Sequence, residues 1–163
     1  MSIQPGDKIP TATVFEMGPD GPEPVSTDDL FGGKTVVMFA LPGAYTPTCS
    51  AQHLPGYIQL SEQLKAKGVD DIVCLSVNDA FVMAAWGQHQ NVDGKVRMIA
   101  DGSAELTKKL GLELDLTGGG MGVRSDRYAM IVKDGVVQSL DREEPKQFEI
   151  SSAAVQLSRL NSD

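Results

Sequence analysis

Two short, unbroken apolar runs constrain this chain more than any other feature: Lys34–Leu41 (KTVVMFAL) and Asp71–Val77 (DIVCLSV). Each is too short for a buried helix. Neither alternates as a strand with one wet face does, so both read as strands covered on both sides. Such strands need helices above and below the sheet. Pro42-Gly43 closes the first run, and a helix is predicted from about Pro47 to Lys67. Asn78 and Asp79 follow the second run and can cap a helix reaching about His89. A third strand is predicted at Arg97–Ala100 and a third helix at Ser103–Leu110. Tyr128–Val132 and Val136–Leu140 flank Lys-Asp-Gly, a strong hairpin signal. Ser151 or Ser152 should cap a last helix to about Leu160, and a strand around Thr11–Met17 precedes the turn residues Pro19–Pro22. The expectation is an α/β fold with a mixed central sheet flanked by helices. The order β-α-β-α-β-β-α is that of a thioredoxin-like fold with additions.

A chain of 163 residues can bury a full core, so one domain spanning 1–163 is expected. Fourteen basic and 22 acidic residues leave a formal net charge of −8. That balance argues against nucleic acid and anionic membranes as partners and favours small neutral substrates or proteins. No run approaches the roughly 20 apolar residues of a membrane span. The start, Met-Ser-Ile-Gln-Pro-Gly, lacks the basic and apolar pattern of a signal peptide, so a cytoplasmic location is expected. The two cysteines do not make a disulfide framework, and each needs its own explanation.

Cys49 lies in LPGAYTPTCS, where a buried strand passes into a helix. Thr46 is a good N-cap residue, and Pro47 then falls at the first helical position, where its missing N–H costs nothing. Cys49 is thereby expected in the first turn, facing free N–H groups and the positive end of the helix dipole. Both favour a thiolate, the nucleophilic form of cysteine. A helix end supplies about 1 to 2 kcal/mol. Taking a cysteine from about 8.5 to near 6 requires roughly 3.4 kcal/mol. A cation beside the sulfur is therefore expected. The competing reading is a buried structural cysteine that happens to start a helix.

Pro42, Thr46 and Cys49 match the pattern Pro-x-x-x-Thr-x-x-Cys, and with HLPGY (His53–Tyr57) the stretch resembles the peroxiredoxin 5, or type II, group of peroxiredoxins. SVNDAFVMAAW (Ser76–Trp86), ADG (Ala100–Gly102) and GVRSDRYAMIVKDG (Gly122–Gly135) extend the resemblance over nearly the whole chain. The resemblance implies a thiol-dependent peroxidase in which Cys49 attacks the peroxide and becomes a sulfenic acid. It implies that Arg127 is the expected cation, that Thr46 holds the sulfur and a peroxide oxygen, and that Pro42 shields the thiolate. The N–H groups of Gly43 and Cys49 would bind the peroxide. These roles suit a reaction that puts charge on a departing oxygen. Arg is better suited than Lys because it stays charged and offers several donors. A homodimer is implied, associating through the end that carries the site. No cofactor or metal is required.

Other residues invite plainer readings. Arg124, three before Arg127, should point to the opposite face if the segment is extended. His53, four after Cys49, shares its side of the helix and is read as supporting or packing rather than metal-binding. Gly118–Gly122 lacks a phosphate-loop ending and reads as a mobile loop; Met83 and Trp86 read as core or interface. Cys74 lies within the second buried strand, about four residues below its end, hence roughly 13 Å down. Disulfide geometry needs Cα atoms within about 7 Å, so a direct bond to Cys49 is not expected in the folded state. Plant type II members carry a cysteine there that is often treated as resolving, whereas the animal form has one near the C-terminus. No cysteine follows Cys74 here. The expected reductant is glutathione with glutaredoxin, attacking an exposed Cys49. The alternative is local unfolding that joins Cys74 to Cys49, with thioredoxin as reductant. A disulfide reductase would need Cys-x-x-Cys, and position 52 is Gln. A non-catalytic binding or chaperone-like protein is the remaining alternative, opposed by the intact Pro42, Thr46, Cys49 and Arg127.

Overall fold

A seven-stranded sheet in the order β2-β1-β5-β4-β3-β8-β9 organises the molecule, described here over residues 2–161 of a computed structural model. Strands β1 (Thr13–Gly18) and β2 (Gly21–Ser26) form a hairpin that turns at Pro19-Asp20. The central strands β3 (Thr35–Leu41), β4 (Asp71–Ser76) and β5 (Arg97–Ala100) run parallel. A two-stranded ribbon, β6 (Glu113–Leu116) and β7 (Gly122–Ser125), stands apart from the main sheet. Strands β8 (Tyr128–Lys133) and β9 (Val136–Arg142) close the far edge antiparallel. Their turn places Asp134 and Gly135 at positive φ, 48° and 79°, as a type I′ hairpin requires. The sheet is mixed, as expected.

Val36 through Leu41 are fully buried because the two faces of β3 serve two cores. Val36, Met38 and Ala40 pack with Leu30, Phe31, Leu106 and Leu110 on one face. Val37, Phe39 and Leu41 pack with Leu54, Tyr57, Leu64, Met83 and Trp86 on the other. Each large side chain removed from water contributes about 1.5–3 kcal/mol, so a charge at Phe39 would break the second core. The first face is covered by α1 (Thr27–Phe31), which the sequence reading did not anticipate, and by α5 (Glu105–Leu110). Helix α1 has only five residues and starts on a Ser26 side-chain cap.

The helix expected over Pro47–Lys67 is interrupted. After a first helical turn at Pro47-Thr48, the chain makes a π-helical turn at Cys49–His53, then α2 (Leu54–Gln59) and α3 (Ser61–Ala66). Pro55 offers no N–H to the carbonyl four residues back, and the Leu54 N–H reaches Cys49 O instead. Leu60 leaves helical geometry at φ −98°, ψ 9°, separating α2 from α3. Helix α4 (Ala80–His89) is capped by Asp79, which accepts from Val82 N at 2.9 Å. The last helix, α6 (Ala153–Asn161), packs against α2, α3 and β8.

Candidate active site

The parallel strands β3 and β4 end together, with Leu41 beside Ser76, and the site lies just beyond that edge. The loop Pro42–Thr46 turns the chain back through Tyr45, whose φ of 67° is in the left-handed region. Asn78 Oδ1 accepts from Ala44 N at 3.0 Å and from Ser76 Oγ at 2.6 Å, tying this loop to the end of β4. Trp86 Nε1 donates to Ser50 Oγ at 3.1 Å and anchors the π-helical turn from the α4 side. Cys49 is fully buried between them. An exposed sulfur was expected at this strand end; the wide π turn instead rotates Cys49 inward, onto the core formed by Phe39 and Leu54.

Arg127 Nη2 donates to Cys49 Sγ at 3.0 Å, and this is the cation that the helix end alone called for. The same guanidinium donates through Nη1 to His53 Nδ1 at 2.7 Å. His53 Nε2 donates to the Ser151 carbonyl at 3.0 Å, which settles its tautomer, since Nδ1 must then accept. Burial, reinforced by the charge of Arg127, pushes the ring down to about 3, so His53 is neutral. Tyr57 Oη donates to the same carbonyl at 2.7 Å, and its ring stacks on Phe39 at 3.9 Å. Phe148 covers the outer side, with Arg127 Cζ 5.8 Å from its ring centre and the His53 ring at 5.0 Å.

Thr46 does not cap the helix through its side chain. Its hydroxyl donates to Gly43 O at 2.7 Å, and its N–H reaches the same oxygen at 3.3 Å. With its hydrogen committed there, the hydroxyl oxygen remains available as an acceptor. The Pro42 carbonyl accepts from Arg124 Nη1 at 3.4 Å, and the Val77 carbonyl from the same atom at 3.5 Å. Arg124 was expected to point away from the site. The chain leaves β7 at Ser125 and re-enters a strand only at Tyr128, so alternation is broken: Arg124 reaches the carbonyls of Pro42 and Val77, while Arg127 reaches the π-helical turn. A cavity of about 290 Å³ opens here, walled by Pro42, Thr48, Leu114, Leu116 and Arg127 on one side and Glu143–Gln147 on the other.

Cys74 pairs in register with Phe39, two residues before the end of β4 and not four. Its depth is therefore about 7 Å along the strand, half the expected value. It shares a core with Cys49, and both thiols are unpaired. Burial pushes the Cys74 thiol well up, as does the Cys49 sulfur, against a smaller opposing pull from Arg127. Cys74 is thus held as a thiol, a poor nucleophile. Among the described residues, no group of three or more His, Cys, Asp or Glu side chains is arranged to hold a metal ion. The glycine segment expected to be a mobile loop closes the β6–β7 ribbon through a 3₁₀ turn at Thr117–Gly119. Arg124, Phe148, Ser151 and Glu143 were missed as contributors. Arg124 was turned to the wrong face, and the other three lie far from Cys49 in sequence with no local motif to mark them.

Residues 4–157 match the family model described as Redoxin. Peroxiredoxin-2E-2, chloroplastic, of Oryza sativa subsp. japonica is 49% identical over 164 residues, covering 98% of this chain and 73% of that one. Peroxiredoxin-2B of Arabidopsis thaliana is 47% identical over 152 residues, covering 93% of this chain and 94% of that one. The crystal structure of reduced Prx3 in complex with hydrogen peroxide from Vibrio vulnificus is similar at a TM-score of 0.93 and 54% identity, covering 97% of this chain and 99% of that one.

Proposed function

The chain belongs to the peroxiredoxin family, in its type II group, and on that premise we propose that Cys49 is the attacking sulfur and Arg127 the group that activates it. The protein is a thiol-dependent peroxidase. The observation that carries the assignment of roles is the Arg127 Nη2–Cys49 Sγ hydrogen bond of 3.0 Å in a fully buried setting. A guanidinium has only donors there, so the sulfur must accept, as a thiolate does.

The thiolate attacks the terminal oxygen of hydrogen peroxide or an organic hydroperoxide. An S–O bond forms, the O–O bond breaks, and sulfur loses two electrons. The departing oxygen leaves as hydroxide or alkoxide and takes a proton to become water or alcohol. Arg127 and the N–H groups of Gly43 and Cys49 stabilise that charge as it develops. Thr46 accepts the hydrogen of the peroxide, and Pro42 keeps water off the sulfur. The similar Vibrio vulnificus protein is described in complex with hydrogen peroxide, which supports a peroxide in this position.

Regeneration uses an external thiol. Glutathione condenses with the sulfenic acid to a mixed disulfide and water. The glutaredoxin thiolate then attacks the glutathione sulfur, releasing the Cys49 thiolate and forming a glutaredoxin–glutathione mixed disulfide, which a second glutathione converts to oxidised glutathione and free glutaredoxin. The high-lying Cys74 thiol supports this route over internal resolution and reduction by thioredoxin. Two unpaired cysteines support a reducing compartment such as the cytosol. Consumption of peroxide with dithiothreitol as electron source tests the reading. Wild type should turn over and Cys49→Ser should not; equal activity in both would refute the assignment.

A further inference from the structure

We propose that Glu143 is a positioning residue for peroxide reduction, holding residues 144–151 as a strap that aims Arg127 at Cys49 through Ser151 and His53. The inference rests on the reading of Cys49 and Arg127 given above. Glu143 lies one residue past the end of β9, and its N–H donates to Arg127 O at 2.9 Å, so its backbone is fixed beside the cation. The residue is buried at the wall of the cavity beside Pro42 and Arg127. One oxygen, Oε2, accepts four hydrogen bonds: from Glu149 N and Ile150 N at 2.8 Å, and from Ser151 N and Oγ at 2.7 Å. Three consecutive N–H groups converging on one anion make a nest, a geometry that a neutral or shorter acceptor would not hold as tightly.

The strap reaches the reaction centre at two points. The Ser151 carbonyl accepts from His53 Nε2, which leaves Nδ1 free to accept from Arg127 Nη1. Phe148, within the strap, lies against the outer side of both the guanidinium and the imidazole. Arg127 makes no ion pair with any carboxylate among the described residues, so its direction depends on Cys49, His53 and Phe148. If the Glu143 anchor is lost, Ser151 and Phe148 are released together. His53 is then free to rotate, and the guanidinium loses the acceptor that holds it in line with the sulfur. The Glu143 carboxylate bonds the strap and not Cys49, so its influence passes through Arg127.

A double-mutant cycle tests this, reading the second-order rate of Cys49 oxidation by hydrogen peroxide in quenched samples by mass spectrometry. Arg127→Ala alone must slow the reaction; if it does not, the role given to Arg127 fails, and the strap that acts through it falls with it. Given that loss, Glu143→Ala should slow wild type by about tenfold or more, yet change the Arg127→Ala protein by less than about twofold. Glu143→Gln keeps an accepting oxygen and should recover the rate to within about threefold of wild type. Should Glu143→Ala not fold, Glu143→Asp, which keeps the charge but falls short of the three N–H groups, carries the same expectation. Equal factors in both backgrounds, or an unchanged rate in the wild-type background, would overturn the proposal.

Discussion

A guanidinium that donates to a sulfur and to an imidazole at once requires a lone pair on each. Arg127 meets that condition because Cys49 accepts at 3.0 Å and the neutral His53 ring accepts at 2.7 Å. Arg127→Ala should therefore slow peroxide reduction at least tenfold, and Cys49→Ser should abolish it. Stopped-flow mixing with hydrogen peroxide reads both; a normal rate in Arg127→Ala would contradict the role. Gly43 is a subtler case. A Cβ there would lie 2.9 Å from Arg124 Nη1 and 3.4 Å from the Thr46 methyl. Gly43→Ala is expected to displace Arg124 from the Pro42 carbonyl and slow the peroxide step about three- to tenfold, while costing about 1 kcal/mol or less of stability. Peroxide kinetics beside urea unfolding would separate those two effects.

At the scale of elements, the π-helical turn decides how the sulfur is used. It leaves Cys49 fully buried, so a thiol as large as glutathione cannot reach the sulfenic acid until this turn opens. Regeneration should then saturate with glutathione concentration at an opening rate, whereas the peroxide step should not saturate in the same way. A regeneration rate linear in glutathione to high concentration would argue against gating. Opening of the same turn is what would bring Cys49 toward Cys74, which lies nearer than its sequence position suggested. Cys74→Ser should nevertheless retain most activity with glutathione, because its thiol is held protonated by burial. Mass spectrometry after one equivalent of peroxide without added thiol discriminates. One added oxygen at Cys49 agrees with external resolution, and a Cys49–Cys74 disulfide opposes it.

For the whole molecule, the neutral ring of His53 makes stability depend on pH. Unfolded, it titrates near 6.5; folded, near 3. Between those values the unfolded chain binds more protons, so stability rises with pH across the window. The contribution is fully present above about 6.5 and is lost as pH falls toward 3, with an upper bound of roughly 4 to 5 kcal/mol. Urea midpoints from pH 7 to 4 should fall more steeply for wild type than for His53→Gln; parallel curves would refute the assignment. Association is a second property at this scale. Tyr45 and Phe81 stand 48% and 65% exposed on the active-site side, more than large apolar side chains usually are. That face supports a homodimer, which sedimentation at micromolar concentration should detect; a strict monomer across that range would count against it.

The buried strands β3 and β4, the β8–β9 hairpin and the start of a helix before Cys49 were legible because each depends on neighbours along the chain. Continuous apolar runs demand cover on both faces, Asp-Gly demands a tight turn, and Thr-Pro admits a helix. Cys49 and Arg127 were legible through a motif resemblance, and the need for a cation followed from the small size of a helix-end effect. Depth, facing and hydrogen-bond roles were not. The π turn arises where Pro55 removes one donor from the ladder, and it turns the sulfur inward. Arg124 reaches the loop at Pro42 because the chain breaks strand geometry after Ser125. Glu143 meets three N–H groups of a segment that local pattern describes only as loop. Such contacts join residues distant in sequence, and their partners are chosen by packing, which no local periodicity encodes.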